Sequence, residues 1–275
     1  MKNSFNIKDN LIQIKNSRVF LAIIGLFLLS LLLSVLSPHF LTVSNILNVL
    51  RQISMIAVVS IGMTYVIITG GIDLSVGSVL ALSAVSAAYL MTHNINMYLA
   101  IIVGMVIGVI CGFINGIFIT TKINMPPFIA TMAMLGIGRG LSLVITEGRP
   151  IYGLPSQFAF IAGGYVFGIP VPVIIMIFLY LIAYIHLSYV RTGVYFYAVG
   201  GNQEATRVAG INIRRIKLGA YVISGLTASI AGIILASRLV SIEPLSGSGY
   251  ELDAIAAAVI GGANLYGGEG IASSS

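Results

Sequence analysis

Apolar residues run along this chain in blocks, each about the 20 residues that a helix needs to cross a hydrocarbon core, with short polar or glycine-rich breaks between them. The blocks predict seven helical spans, at 19–36, 53–69, 77–91, 97–119, 126–146, 171–190 and 218–240, and an alanine-rich run at 254–263 reads as a broken or incomplete eighth. After Pro38, Val43, Ile46, Leu47 and Leu50 recur at helical spacing, which predicts a separate helix along the outer interface. The expected fold class is therefore all-α: a polytopic helical bundle of about seven to eight spans, forming one transmembrane domain over residues 1–275.

The breaks carry the topology. The polar island 191–217 holds five of the fourteen basic residues and reads as a loop between two spans. Lys and Arg accumulate on the cytoplasmic side of membrane proteins. Placing this island inside also places Lys2, Lys8, Lys15, Arg18 and Lys122 inside, ten basic residues in all, and leaves Arg51, Arg139, Arg149 and Arg238 outside or near outer span ends. The N-terminus (1–18) is then a cytoplasmic tail, and the Gly/Pro-rich segment 147–170 is the longest outer loop, a docking cap facing the periplasm. Within the island, Asn202 can cap a short amphipathic helix that carries Glu204, Ala205, Arg207, Val208 and Ala209 and is closed by Gly210. Such a helix can dock on a cytoplasmic partner; a solvated loop whose charges only set topology is the competing reading.

A second break reads GGIDLSVG at 70–77. Gly70, Gly71 and Gly77 permit non-helical backbone, which a membrane accepts only where protein covers it or it lines a cavity. Asp73 sits there without polar neighbours in sequence except Ser75, and an acid at membrane depth must face protein or water. One reading is a half-helix N-terminus aimed at a translocation path. The other is a tight turn in which Asp73 or Ser75 caps the next helix. Asp253 stands similarly at the mouth of the alanine-rich run and hints at an internal repeat. Gly104, Gly108, Gly112 and Gly116 form a smooth stripe for close helix packing. Arg139, inside a span, must snorkel outward or pair internally.

Composition agrees with the blocks. With 58% hydrophobic residues and a mean hydropathy of +1.04, the chain has too little polar surface for a soluble globule. The net charge of +6 is scattered through tails and loops instead of forming an aromatic-interleaved patch, so nucleic acid is not an expected partner and membrane lipid is. Cys111 is alone within an apolar run, His39, His93 and His186 lack metal-ligand spacing, and no GxxxxGK[ST] phosphate loop occurs. The chain is expected to bind no metal or nucleotide itself and to perform no covalent chemistry.

Three stretches, GGIDLSVGSVLALSA at 70–84, AVGGNQEATRVAGINIRRIK at 198–217 and GYELDAIAAAVIGGANLYGGEG at 249–270, together resemble the permease subunits of bacterial ABC importers for ribose and related monosaccharides. That resemblance implies an inner-membrane subunit, paired with a second permease copy, above a cytoplasmic ABC ATPase that holds ATP and Mg2+ and below a periplasmic sugar-binding protein. By position, Asn202, Glu204, Ala205, Arg207 and Gly210 fall in the ATPase-coupling loop, with Glu204, Ala205 and Gly210 matching a degenerate Glu-Ala-Ala signature. Gly70, Gly71, Asp73, Ser75, Gly77 and Asp253 are candidates for the broken-helix translocation path. The implied function is alternating-access import of a monosaccharide, ribose or a similar pentose. The alternative is a secondary transporter or channel for a small polar solute, though a proton relay would call for more intramembrane acids than Asp73 and Asp253. Since similar proteins have about ten spans, the resemblance also implies further helices beyond the 275 residues, and the chain reads as truncated at its C-terminus.

Overall fold

The computed structural model describes residues 18–121, 123 and 125–270, and for residues 18–23 the backbone alone. The N-terminal tail, Lys122 and residues 271–275, used in the expectations above, lie outside the described residues. The chain forms α1 (Arg18–Leu36), α2 (Val43–Ile68), α3 (Val76–Thr92), α4 (Met97–Thr120) and α5 (Pro127–Thr146). A 3-10 turn (Ser156–Ala159), the one-turn α6 (Phe160–Gly163) and a hairpin of β1 (Tyr165–Val166) and β2 (Ile169–Pro170) follow, with Tyr165 opposite Pro170. Then come α7 (Val171–Tyr189), α8 (Arg191–Gly201), α9 (Gln203–Val208), α10 (Ile213–Leu239) and α11 (Tyr250–Ile260).

The bundle is organised around α3. It is apolar on every side, as a helix without a solvated face must be, and 14 of its 17 residues are buried. α4, α5 and α10 enclose it. The glycine stripe of α4 explains how they close so tightly: Gly108 faces the Gly225 carbonyl and Ser229, Gly112 the backbone of Tyr221, Gly116 Leu218, and Gly104 the Ser83 carbonyl on α3. α10 answers with its own small residues, Gly225 against Gly108 and Gly232 against Leu80. Larger side chains here would push backbones apart, at about 1–3 kcal/mol each. By length and composition α2, α4, α5, α7 and α10 can each cross a membrane, while Ile24–Leu36 and Val76–Thr92 are shorter apolar helices. From Ile24 onward α1, and likewise α7, keeps most of its Leu, Ile, Phe and Tyr side chains exposed, an outward apolar surface suited to lipid.

The structure corrects some of these expectations and adds detail to others. The interfacial helix at 43–51 and the span at 53–69 are one helix, 26 residues and about 39 Å long. Asn48 and Arg51 do not end it because each has a partner elsewhere: Arg238 donates to Asn48 at 3.2 Å, and the Arg51 guanidinium lies 4.6 Å from the Tyr165 ring centre. The island 191–217 is mostly helix, since Arg191–Gly201 forms α8 and Arg214, Arg215 and Lys217 sit in α10. The segment 147–170 is folded onto α10, with Ser237 Oγ donating to Phe158 O at 2.6 Å and accepting from Ala162 N–H at 2.9 Å. The alanine-rich helix is α11, 11 residues beginning at Tyr250, so Asp253 lies inside its first turn and not at its mouth. Arg139 pairs internally, donating to Ser246 O at 2.7 Å.

Candidate functional site

The short helix expected near Asn202 is α9. Asn202 adopts extended backbone, and its Oδ1 accepts the Ala205 N–H at 2.9 Å, which satisfies one of the free donors of the first turn. Glu204 lies in the first turn and Arg207 in the last, the arrangement that the helix dipole favours, and the two pair at 3.1 Å. Gly210 closes the segment at φ +79° with its N–H donating to Arg207 O at 3.0 Å; it has open space around it, so its role is in the backbone. From Gly201 to Gly210 every residue except Thr206 is exposed, including the apolar Val208 at 88%. Thr206 is the anchor: its hydroxyl lies 2.8 Å from Ala198 O on α8 and 2.6 Å from Asn202 O.

A cavity of about 550 Å3 lies on one side of α9, lined by Thr120, Gln203, Arg207, Arg214 and Lys217. A groove of about 580 Å3 borders the turn that follows α9 and is lined by Thr192, Tyr195, Gly210 and Arg215. The exposed helix and the turn after it thus border two recesses that carry cations. Its chemistry is that of a grip: exposed backbone and side chains, positive surroundings and one buried fastening.

The break at 70–75 is the reverse case. Gly70 turns the chain at φ +76°, and Asp73 is only 1% exposed. Its Oδ1 accepts the Ser75 N–H at 2.9 Å and the Ser75 hydroxyl at 2.6 Å, and its Oδ2 accepts the Ser224 hydroxyl from α10 at 2.7 Å. Asn115 on α4 donates to Ser75 Oγ at 2.9 Å, so one carboxylate ties the start of α3 to α4 and α10. Buried acids are stable only when hydrogen-bonded in this way. The turn reading fits this geometry, with Asp73 as the acceptor and Ser75 spending its hydroxyl on Asp73 without capping α3. Gly71 packs against the Tyr221 hydroxyl, and Gly77, in the first turn of α3, against the Gly247 carbonyl and Glu251.

Asp253 is not part of this network. It is exposed on α11 and shares no hydrogen bond with Asp73 among the described residues, so the suggested repeat is not matched in environment. Sequence reasoning did not single out Ser224, Asn115 or Thr206. A polar residue inside an apolar block was the available signal for the first two. It also did not foresee that His186 would bridge Tyr65 OH at 2.9 Å and Thr192 Oγ1 at 2.8 Å, pinning the corner between α7 and α8 to α2.

The family model described as "Branched-chain amino acid transport system / permease component" matches residues 45–269. The ribose import permease protein of Bacillus subtilis (strain 168) is 47% identical over 249 residues, 90% of this chain and 77% of that protein. Its counterpart in Haemophilus influenzae (strain ATCC 51907 / DSM 11121 / KW20 / Rd) is 45% identical over 251 residues, and that in Escherichia coli (strain K12) is 44% identical over 253 residues; the matches cover 90% of this chain and 77% and 78% of the two relatives. No solved structure matches the chain. The matched region takes in α9, the buried break and α11. The chain belongs to the family of branched-chain amino acid transport system permease components, as a multi-pass inner-membrane subunit of an ABC importer.

Proposed function

We propose that this chain imports ribose or a closely similar pentose as the membrane-spanning subunit of an ATP-driven importer, working by alternating access. In this reading α9 seats on a cytoplasmic ABC ATPase, which holds the ATP and Mg2+; the permease itself binds neither. The residues 1–18 and 191–217 face the cytoplasm, and the folded segment 147–170 faces a periplasmic sugar-binding protein. A second permease copy completes the path. The carrying observation is the 44–47% identity to three ribose import permeases, sustained over 90% of the chain. The exposed, singly anchored α9 supports it, because a subunit of this kind must take its energy from a partner that can grip it.

Reconstitution with the ATPase and binding protein in proteoliposomes tests the reading. Labelled ribose should accumulate only with internal ATP, against excess D-galactose or leucine as competitors. Leucine uptake that ignores ribose would overturn the substrate assignment. Uptake driven by an ion gradient without the ATPase would favour a secondary transporter.

A further inference from the structure

α9 and the buried break are joined by a backbone junction. Thr206 fastens α9 to Ala198 near the end of α8, and α8 ends directly on the end of α2. A methyl group on Gly200 would collide with the Ile68 carbonyl and the Gly268 amide. The third participant is the turn at 264–270, held by Asn264 N–H donating to Glu269 O at 3.2 Å and Asn264 Nδ2 donating to Glu269 Oε2 at 3.0 Å. From this turn Gly268 N–H donates to Ile68 O at 2.9 Å. Gly267 and Gly268 both have positive φ, and a Cβ on Gly268 would lie 2.7 Å from Gly201 Cα, one on Gly267 3.0 Å from Gly70 N. Three backbones from distant parts of the chain therefore cross with no side chain between them. Gly70, Gly200, Gly267 and Gly268 are drawn from the same three stretches that stood out in the sequence, and Ile68 lies two residues before the first of them.

We propose that this junction, Gly200 with Gly267 and Gly268 against Ile68 and Gly70, is the positioning element that passes a displacement of α9 to the break at Asp73. The proposal rests on reading α9 as the ATPase contact. Side chains absorb movement by changing rotamer, whereas close-packed backbones held by a hydrogen bond have little compliance and transmit strain. A shift of α9 moves the end of α8, which bears on Ile68 and on Gly268. Five residues after Ile68 comes Asp73, which holds Ser75 and Ser224 and, through Ser75, Asn115. The displacement so reaches the start of α3, the C-terminal part of α4 and the middle of α10 together.

The neighbouring glycine supplies the control. A Cβ on Gly201 would meet only Gly268 Cα, at 4.0 Å, an ordinary contact. Gly200→Ala and Gly201→Ala are compared in nanodiscs with the ATPase and binding protein, reading retention of the ATPase subunit, basal ATP hydrolysis, its stimulation by ribose-loaded binding protein, and ribose imported per ATP. Gly201→Ala should match the parent. Gly200→Ala should keep the ATPase and basal hydrolysis while stimulation and import per ATP fall about tenfold, within the usual range of coupling energies. Unchanged stimulation and import per ATP in Gly200→Ala would overturn the proposal. Should Gly200→Ala not assemble, Thr206→Val decides: it removes the hydroxyl that fastens α9 to Ala198 without touching the junction. Retained ATPase with lost stimulation supports the link, and normal stimulation overturns it. A parent chain that does not hold the ATPase at α9 would overturn the reading of α9 and the junction's role with it, a result distinct from either variant outcome.

Discussion

α9 and the Asp73 turn are two polar interruptions of this apolar chain, and they are built on opposite plans. α9 exposes almost everything and hangs on one buried hydroxyl, that of Thr206. The Asp73 turn buries Gly71, Asp73 and Ser75, and the Asp73 carboxylate receives three hydrogen bonds. A polar segment in a membrane protein can thus be a handle or a keystone, and burial with partner count separates the two. The difference also predicts where mutations act: at the keystone they should cost stability, at the handle they should cost coupling.

The largest effect is expected at Asp73. Asp73→Leu strands the Ser75 and Ser224 donors in the core, at about 1–3 kcal/mol for each unsatisfied group, and the detergent-solubilised protein should show a sharply lower Tm and reduced membrane levels. Asp73→Asn keeps one acceptor and the shape, so its loss should be clearly smaller. A Leu variant as stable as the parent would show that the turn is incidental and would erase the contrast with α9.

Asn202→Ala comes next. It removes the α9 cap, worth about 1 kcal/mol. Because α9 is exposed, Tm should stay close to that of the parent while ATPase retention and ribose uptake decline. A Tm drop comparable to that of Asp73→Leu would mean that α9 is part of the structural core after all. The smallest effect belongs to Glu204→Gln. The Glu204–Arg207 pair has side chains 76% and 66% exposed, and such surface pairs contribute about 0–1 kcal/mol. Its Tm should be indistinguishable from the parent's, so any loss of ATPase retention would report on the partner contact itself.

What could be read in the sequence follows the range of the interactions involved. The α9 cap and its closing glycine were legible because Asn202 and Gly210 act within four residues of themselves. The break at Gly70 was legible for the same reason. The environment of Asp73 was not, since its partner Ser224 lies 151 residues away and the donor to Ser75 Oγ, Asn115, 40 residues from Ser75. The 43–51 segment was misjudged through the same blindness, because the polarity of Asn48 and Arg51 suggested an interface until Arg238 and Tyr165 supplied their partners. The glycine doublet at 200–201 was visible, but only the meeting with Ile68 and Gly268 reveals why the first of the pair has no room for a side chain.

The central claim, that α9 is an exposed handle on the cytoplasmic side for the ATPase, is tested most directly by one labelling measurement. Val208→Cys is placed in a Cys111→Ser background and probed with a membrane-impermeant thiol reagent on spheroplasts, on inverted vesicles, and on inverted vesicles with the ATPase bound. The account predicts no labelling of spheroplasts, rapid labelling of inverted vesicles, and protection by the ATPase. Labelling of intact spheroplasts, or labelling of inverted vesicles that the ATPase leaves unchanged, would contradict it.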